Sequence, residues 1–134
     1  MKTVTIDRNI SFGDCDPAGS VYAPNYGHFA LQAVHEALDV WLTDSSVIAL
    51  TEDGVLMPVR YLEVDYVSPM SWGQLLKMHV SLDRIGEHSM HFVIKGTSKQ
   101  KDVFVAKIAL VTLNKATKKK MPLPSLIRRC LGEG

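Results

Sequence analysis

One amphipathic stretch constrains the fold of this chain more than any other feature of the sequence. Its apolar side chains recur at spacings of three and four residues, the period of an α-helix with one buried face. They are Tyr26, Phe29, Ala30, Ala33, Val34, Ala37, Leu38 and Trp41. Pro24 suits the first helical position, where its missing N–H would be unpaired in any case. We therefore predict a helix over residues 24–42, about 28 Å long and long enough to span a sheet.

The other apolar patterns have mainly a period of two, which is typical of half-buried strands. A first strand precedes the helix, and its apolar residues are Val4, Ile6, Ile10 and Phe12. After a loop at residues 43–55, which has room for a short helical turn, three alternating segments follow. They are Leu62, Val64 and Tyr66; Leu76, Met78, Val80 and Leu82; and Met90, Phe92 and Ile94. The nearly continuous apolar run at residues 103–113 is typical of a central strand covered on both faces.

Short turns, predicted at residues 69–73, 85–87 and 98–102, join the four later strands. Such short connections favour an antiparallel sheet, because parallel neighbours need a long crossover. The apolar face of the sheet must be covered, and the long helix is the available cover. A short helix is predicted near the end, at residues 125–131. The 134 residues show no repeat or linker, so we predict one α+β domain over residues 1–134.

Composition and charge argue against several classes of protein. A net charge of +1 argues against binding of nucleic acid by bulk electrostatics. No apolar run approaches the roughly 18 residues of a membrane span, and the first residues lack the apolar core of a signal peptide. The two cysteines make no disulfide framework, and no spacing of cysteine and histidine indicates a zinc site. We therefore expect a cytoplasmic protein with no nucleic-acid or membrane partner.

The lysines of residues 115–120 are typical of a solvated segment. The alternative is a local anion site for the phosphates of a bulky thiol carrier, with Arg84 and Ser89 beside the Gly86 turn as further members. Both interpretations place these side chains at the surface.

The segment of residues 12–26 carries the strongest chemical signal in the chain. The carboxylates of Asp14 and Asp16 lie among two glycines and two prolines, directly before the helix. Such aspartates are common as turn or N-cap residues, which is the structural interpretation. In the chemical interpretation, an Asp-Pro-Ala-Gly turn carries Asp16 to the helix start, where it attacks an acyl carbon or deprotonates a water. Unpaired N–H groups at the helix start would stabilise the oxyanion that forms.

Other nucleophiles and ligand sets have less support in the sequence. Cys15 lies between two carboxylates, which disfavour the reactive thiolate. Ser20 has no recognisable base, and the chain has neither a Gly-x-Ser-x-Gly elbow nor a phosphate-binding glycine-rich loop. The histidines form no convincing metal set; they are His28, His35, His79, His88 and His91.

The motif Phe-Gly-Asp-Cys-Asp-Pro-Ala-Gly at residues 12–19, followed by Pro-Asn-Tyr at residues 24–26, resembles that of the 4-hydroxybenzoyl-CoA thioesterases of the hotdog-fold superfamily. The order of predicted elements agrees along essentially the whole chain. The resemblance implies an antiparallel sheet wrapped around one long central helix. It implies homodimers paired through the sheet edges, commonly associated into tetramers. It also implies hydrolysis of an acyl-CoA thioester with no metal or redox cofactor.

The resemblance assigns roles to individual residues. Asp16 matches the catalytic carboxylate, which acts as a nucleophile or a general base. The backbone N–H of Ala23 matches the donor that polarises the thioester carbonyl, and Asp14 has no catalytic counterpart. The positions expected to contact substrate are Gly19, Tyr22, Asn25, Tyr26, Arg84 and Ser89.

Two departures from the family pattern leave the acyl group open. Ala23 replaces an aromatic residue, and Gly-Glu-His at residues 86–88 replaces a basic run before Ser89. The general function, acyl-CoA thioesterase, is therefore better supported than the 4-hydroxybenzoyl specificity. The alternatives are a hotdog protein that binds acyl-CoA without hydrolysis and a hydroxyacyl-thioester dehydratase. A further set of residues is expected in the core, with an acyl pocket as the alternative: Met57, Tyr61, Tyr66, Met70 and Trp72.

Overall fold

The computed structural model describes residues 2–132, which form a five-stranded antiparallel sheet and one long helix. The elements are β1 (Thr3–Asn9), α1 (Pro24–Trp41), α2 (Val47–Glu52), β2 (Val55–Leu56), β3 (Val59–Tyr66), β4 (Leu75–Ile85), β5 (Ser89–Ser98), β6 (Lys101–Val111), β7 (Leu113–Asn114) and α3 (Ser125–Ile127). A 3₁₀ turn occupies Phe12–Asp14, and a π-helical turn occupies Arg128–Gly132. The strand order is β1-β4-β5-β6-β3, with β2 and β7 as a separate pair.

The apolar side chains that predicted α1, referred to below as the stripe, form the face that α1 buries. Every residue of the stripe is buried except Trp41, which is half-buried and stacks on Phe92. Gly27 lies on the same face, where a Cβ would come within 3.1 Å of the Leu62 side chain on β3. Because Gly27 has no side chain, this edge strand can approach the helix closely. Helix α1 contacts all five strands, which confirms the predicted α+β fold with a sheet wrapped around one long helix.

Strand register gathers the alternating apolar residues on one face of the sheet. Val80, Ile94 and Ala106 align across β4, β5 and β6, and all three are fully buried in the core that α1 covers. The side chains between them point to the opposite face. Among the described residues, no helix combines the length and the apolarity needed to cross a membrane.

Some local expectations fail at strand ends and at the edge of the sheet. Phe12, predicted in the first strand, lies in the 3₁₀ turn and is 72% exposed, because β1 ends at Asn9. Leu62 and Tyr66, predicted on a buried face, are 48% and 53% exposed, because β3 is an outermost strand. The short pair of β2 and β7 has no periodic signal in the sequence.

Because β5 and β6 are in close contact at Gly96, one added methyl group there should destabilise the fold. Gly96 is buried opposite Phe104, and a Cβ at Gly96 would overlap the Phe104 ring. We expect Gly96→Ala to lower the free energy of unfolding by about 1–3 kcal/mol, measured by urea denaturation. Gly13→Ala is the matched control, because a Cβ at Gly13 has nothing within 4 Å. Equal stability of the two variants would contradict this packing.

Candidate active site

The acidic loop folds into a small hairpin near the start of α1. Cys15 and Val21 pair as a short antiparallel bridge. Beyond this bridge, the Asp16 N–H donates to the Ser20 carbonyl at 2.8 Å, and the Gly19 N–H donates to the Asp16 carbonyl at 2.9 Å. Gly19 has a φ of 86°, a conformation that glycine adopts readily. These bonds fix the main chain of Asp16 in the tip of the hairpin.

The carboxylate of Asp16 is partly exposed. Its Oδ1 accepts a hydrogen bond from the Ala18 N–H at 2.9 Å, which is an Asx turn. Within residues 2–132, no cation forms an ion pair with this carboxylate and Oδ2 has no protein donor. One carboxylate oxygen is therefore available to act as a nucleophile or as a base.

Helix α1 begins beside an unpaired main-chain donor. The Asn25 N–H donates to the Tyr22 carbonyl at 2.9 Å. The Tyr26 N–H donates to the Ala23 carbonyl at 3.1 Å, and Pro24 has no N–H. Among the described residues, the N–H of Ala23 donates to no protein acceptor, and Ala23 is exposed. Together with the positive end of the helix dipole, this N–H can stabilise a negatively charged oxygen.

The main chain of Asp14 connects the hairpin to the helix start. Its carbonyl oxygen accepts hydrogen bonds from the Tyr22 N–H at 3.0 Å and from Nδ2 of Asn25 at 2.9 Å. Asp14 is only two residues before Asp16. This junction therefore fixes the hairpin relative to the unpaired N–H of Ala23.

The side chain of Asp14 connects the same loop to β1 and α1. Its Oδ2 accepts from the N–H and the hydroxyl of Ser11, both at 2.9 Å, and its Oδ1 accepts from Nη2 of Arg8 at 3.1 Å. Burial alone would raise the pKa of Asp14, but these hydrogen bonds and the Arg8 charge hold it below its usual 3.8. The Arg8 guanidinium also lies 4.2 Å from the ring centroid of Phe29 and donates to Gln32, both on α1. These contacts give Asp14 a structural role.

A cleft of about 300 Å³ opens beside the start of α1. It is lined by Val21, Ala23, Tyr26, Tyr66, Val67, Ser68 and Pro69. The Tyr66 hydroxyl donates to the Ala23 carbonyl at 3.4 Å, which connects the end of β3 to the helix start. The Tyr26 hydroxyl accepts from the Met70 N–H at 3.2 Å, and burial raises the pKa of Tyr26. The cleft thus combines aromatic walls with Ala23, whose N–H is unpaired among the described residues.

Comparison with known proteins identifies the family. Residues 10–131 match the model of the thioesterase-like superfamily. The chain belongs to this superfamily. The predicted enzyme class, thioester hydrolase, and the resemblance to the hotdog thioesterases are confirmed.

Several relatives resemble this thioesterase over most of its length. A 1,4-dihydroxy-2-naphthoyl-CoA hydrolase of Prochlorococcus marinus (strain MIT 9515) is 25% identical over 128 residues, covering 92% of this chain and 85% of the relative. A solved thioesterase superfamily structure from Jannaschia sp. CCS1 has a TM-score of 0.89 and 27% identity, covering 96% of this chain and 90% of that one. The 4-hydroxybenzoyl-CoA thioesterase of Pseudomonas sp. strain CBS-3 has a TM-score of 0.85 and 20% identity, covering 97% of this chain and 100% of that one, and it shares the fold.

The thioesterase fold separates the predicted site residues into two groups. Those in the hairpin and helix start are Asp16, Gly19, Tyr22, Ala23, Asn25 and Tyr26. The Trp72 N–H donates to the Gly19 carbonyl at 3.4 Å, so the loop before β4 lies beside the hairpin. Arg84 lies near the other end of β4, about 30 Å from its start, and Ser89 follows the next turn. Within one chain, Arg84 and Ser89 are therefore remote from Asp16, and their predicted substrate contacts require a second chain.

The predicted core placement is right for methionine and wrong for the exposed aromatic residues. Met70 is 1% exposed and Met57 is partly buried against the core. Tyr61, Tyr66 and Trp72 are 50%, 53% and 63% exposed, because they lie on an edge strand or in a loop. For Tyr66 the alternative interpretation, a pocket residue, fits the structure, because Tyr66 lines the cleft beside Ala23. The part of the cleft formed by Val67, Ser68 and Pro69 was not predicted. The Ser-Pro dipeptide after β3 was the available signal, since proline is confined to strand ends and edges.

The contacts of Asp14 predict a pH-dependent contribution to stability. We expect Asp14→Asn to lower the free energy of unfolding by about 2 kcal/mol at pH 7, because it removes charge-assisted hydrogen bonds. The folded pKa lies below the unfolded value of 3.8. The loss of stability relative to wild type should therefore have its full size above the unfolded pKa. It should disappear as the pH falls through the folded pKa.

Asp7→Asn is the matched control for this experiment. Asp7 forms an exposed ion pair with Lys77 at 3.4 Å, which contributes little to stability. Denaturant unfolding of both variants between pH 2.5 and pH 7 is the measurement. If the loss of stability in Asp14→Asn grew as the pH fell, the direction of the pKa shift of Asp14 would be wrong.

Proposed function

We propose that the protein hydrolyses an acyl-CoA thioester to a free acid and CoA, with Asp16 as nucleophile or general base. One observation carries the proposal. The Asp14 carbonyl holds the Asp16 hairpin against the helix start, where the N–H of Ala23 is unpaired among the described residues. Thioester hydrolysis needs a nucleophile or base and a donor that stabilises the oxyanion, and Asp16 and the Ala23 N–H are suited to these two roles.

In the nucleophilic route, Asp16 attacks the thioester carbon while the thioester carbonyl oxygen accepts a hydrogen bond from the Ala23 N–H. The resulting oxyanion is stabilised by this donor and by the helix dipole. Collapse expels the CoA thiolate and leaves a mixed anhydride on Asp16, which water then hydrolyses. In the general-base route, Asp16 takes the proton of a water that attacks the same carbon. After a single turnover in ¹⁸O-labelled water, label in the Asp16 carboxylate would establish the nucleophilic route, since the general-base route places label only in the product acid.

We favour an aromatic acyl group as the substrate. The cleft walls include Tyr26 and Tyr66, whose ring centroids are 5.8 Å apart and edge-to-face. Aromatic walls suit a planar acyl group. The relatives named as 1,4-dihydroxy-2-naphthoyl-CoA hydrolases support this class. 4-Hydroxybenzoyl-CoA is a second member of the class to test.

A hydroxyacyl dehydratase has less support, because that chemistry needs a histidine paired with an acid at the site. His35 and Asp39 lie one turn apart on α1, and burial lowers the pKa of His35 despite the nearby Asp39 charge. His35 is twelve residues from Ala23, about 18 Å along the helix. A protein that binds acyl-CoA without hydrolysis is excluded if the wild type turns over a thioester.

Replacement of Asp16 tests the reaction directly. We expect Asp16→Asn to lower kcat by about 10²–10⁴-fold with little change in KM, because the amide is neither a good nucleophile nor a base. The Asn side chain can still accept a hydrogen bond from the Ala18 N–H, so the hairpin should keep its conformation. Cys15→Ser is the control and should retain activity. The measurement is hydrolysis of aromatic, short-chain and long-chain acyl-CoA, and activity of Asp16→Asn within tenfold of wild type would refute the assignment.

We further propose that the thioesterase is a homodimer paired through the edges of β3. This strand lies at the end of the sheet, so one row of its main-chain groups has no neighbouring strand. An antiparallel pairing centred on Leu62 places Tyr61 opposite the partner's Glu63. Centring the pair on Glu63 would bring two carboxylates together, which is unfavourable. A tetramer stays a prediction.

A charge at the centre of β3 should therefore prevent dimerisation. We expect Leu62→Asp to be monomeric by sedimentation equilibrium, because the new carboxylate would face its copy across the two-fold axis. Ile48→Asp is the control, since Ile48 is 71% exposed on α2 and away from β3. Circular dichroism checks that both variants fold. A monomeric wild type, or a dimeric Leu62→Asp, would contradict this interface.

A further inference from the structure

The hairpin that carries Asp16 is paired along one side with residues 70–74, the segment that leads into β4. Tyr26, in the first turn of α1, connects this segment to the helix, because its hydroxyl accepts a hydrogen bond from the Met70 N–H at 3.2 Å. We propose that Tyr26 is a positioning residue, whose hydroxyl fixes the 70–74 segment and, through it, the hairpin of Asp16. The inference rests on the proposed thioesterase function and adds a residue that acts through the main chain.

This segment contacts the second limb of the hairpin by main-chain bonds. The Val21 N–H donates to the Met70 carbonyl at 2.9 Å, and Ser20 and Ser71 form an antiparallel bridge. The Ser20 carbonyl in turn accepts a hydrogen bond from the Asp16 N–H at 2.8 Å. Because Asp16 is bonded directly to the limb that pairs with the segment, a displacement of the segment would displace Asp16.

The two ends of the segment have different supports. At its far end, the Gly73 N–H donates to the Ile10 carbonyl and the Ile10 N–H donates to the Gln74 carbonyl, both at 2.9 Å, so the end of β1 holds this part. At its near end, the Met70 N–H donates to the Tyr26 hydroxyl. Met70 is only 1% exposed, so water cannot take the place of the hydroxyl. Without Tyr26 as acceptor, a buried N–H would be unsatisfied beside the hairpin.

The ring of Tyr26 and its hydroxyl have separable roles. Tyr26 is 4% exposed, and its ring packs against those of Phe29, Tyr66 and Phe104, with centroids 6.2, 5.8 and 5.4 Å away. A phenylalanine at this position would keep these contacts. Burial raises the pKa of Tyr26, so the hydroxyl is protonated at neutral pH and accepts the Met70 hydrogen bond as a neutral group. Replacement by phenylalanine therefore removes the acceptor and leaves the packing.

The proposed reaction needs the hairpin to be fixed on both limbs. The Asp14 carbonyl holds the first limb to α1 through the side chain of Asn25, and Tyr26 holds the second limb through Met70. Attack on a thioester carbon requires the carboxylate and the Ala23 N–H to be correctly spaced at the same moment, and small misplacements of reacting groups cost large factors in rate. Loss of the Tyr26 hydroxyl should therefore lower the rate of the chemical step.

The first test separates positioning from substrate contact. We expect Tyr26→Phe to lower kcat for an aromatic acyl-CoA by about tenfold or more and to change KM by less than about twofold. A hydroxyl that only bound the substrate would instead raise KM and leave kcat unchanged. That result, or a Tyr26→Phe variant with the kcat and KM of the wild type, would overturn the proposal.

Leu42→Ala is the control for a loss of stability alone. Leu42 is 2% exposed and follows the last turn of α1, about 24 Å from Tyr26 along the helix. Its truncation removes buried apolar atoms and should lower stability. The folded variant should keep the kcat of the wild type, because the hairpin and the 70–74 segment are untouched.

The second test, native-state hydrogen exchange followed by NMR, is independent of turnover. In Tyr26→Phe, the amides of Met70 and Val21 should exchange about tenfold faster, because the bonds that hold the segment are weakened. The amides of Leu38 in α1 and Ile94 in β5, both fully buried, should exchange at the wild-type rate. Equal acceleration at all four amides, or no acceleration at Met70 and Val21, would overturn the proposal.

The two experiments separate a failure of this inference from a failure of the proposed reaction. If the wild type hydrolyses no thioester, the reaction is refuted, while the exchange rates still show whether Tyr26 fixes the hairpin. If the wild type is active and exchange is faster at Met70 and Val21 but kcat is unchanged in Tyr26→Phe, the positioning role alone is refuted.

Discussion

The geometry of the candidate site depends on the contacts of Asp14. Its carboxylate reaches back to Arg8 on β1, and its carbonyl reaches forward to Tyr22 and Asn25 at the start of α1. One residue therefore joins strand, loop and helix, and Asp16 follows two positions later. The catalytic assignment to Asp16 relies on this junction, because it fixes the Asp16 hairpin relative to the start of α1.

The packing of α1 explains why its first residues are available for chemistry. The helix is buried along one stripe against all five strands, while Ala23 at its start is exposed. Gly27 lets β3 approach, and the last residue of β3, Tyr66, then reaches the Ala23 carbonyl. Core packing and the shape of the cleft are thus consequences of the same helix–strand contact.

The elements that could be predicted are those with a periodic apolar pattern and those that belong to one contiguous sequence motif. Helix α1 and strands β4 and β5 follow from periodicity, and the motif placed Asp16 and Ala23 together because they are close in the chain. Exposure at Leu62 and Tyr66 was not predictable, since it depends on which strand ends the sheet.

The proposed oxyanion donor is the main-chain N–H of Ala23, so its chemistry does not depend on which side chain occupies position 23. Any residue except proline at position 23 would keep this N–H, whereas the side chain at position 23 lines the cleft. Substitutions there can enlarge, narrow or rigidify the cleft while the donor persists. Relatives with different acyl substrates can thus diverge at this position without passing through an inactive intermediate.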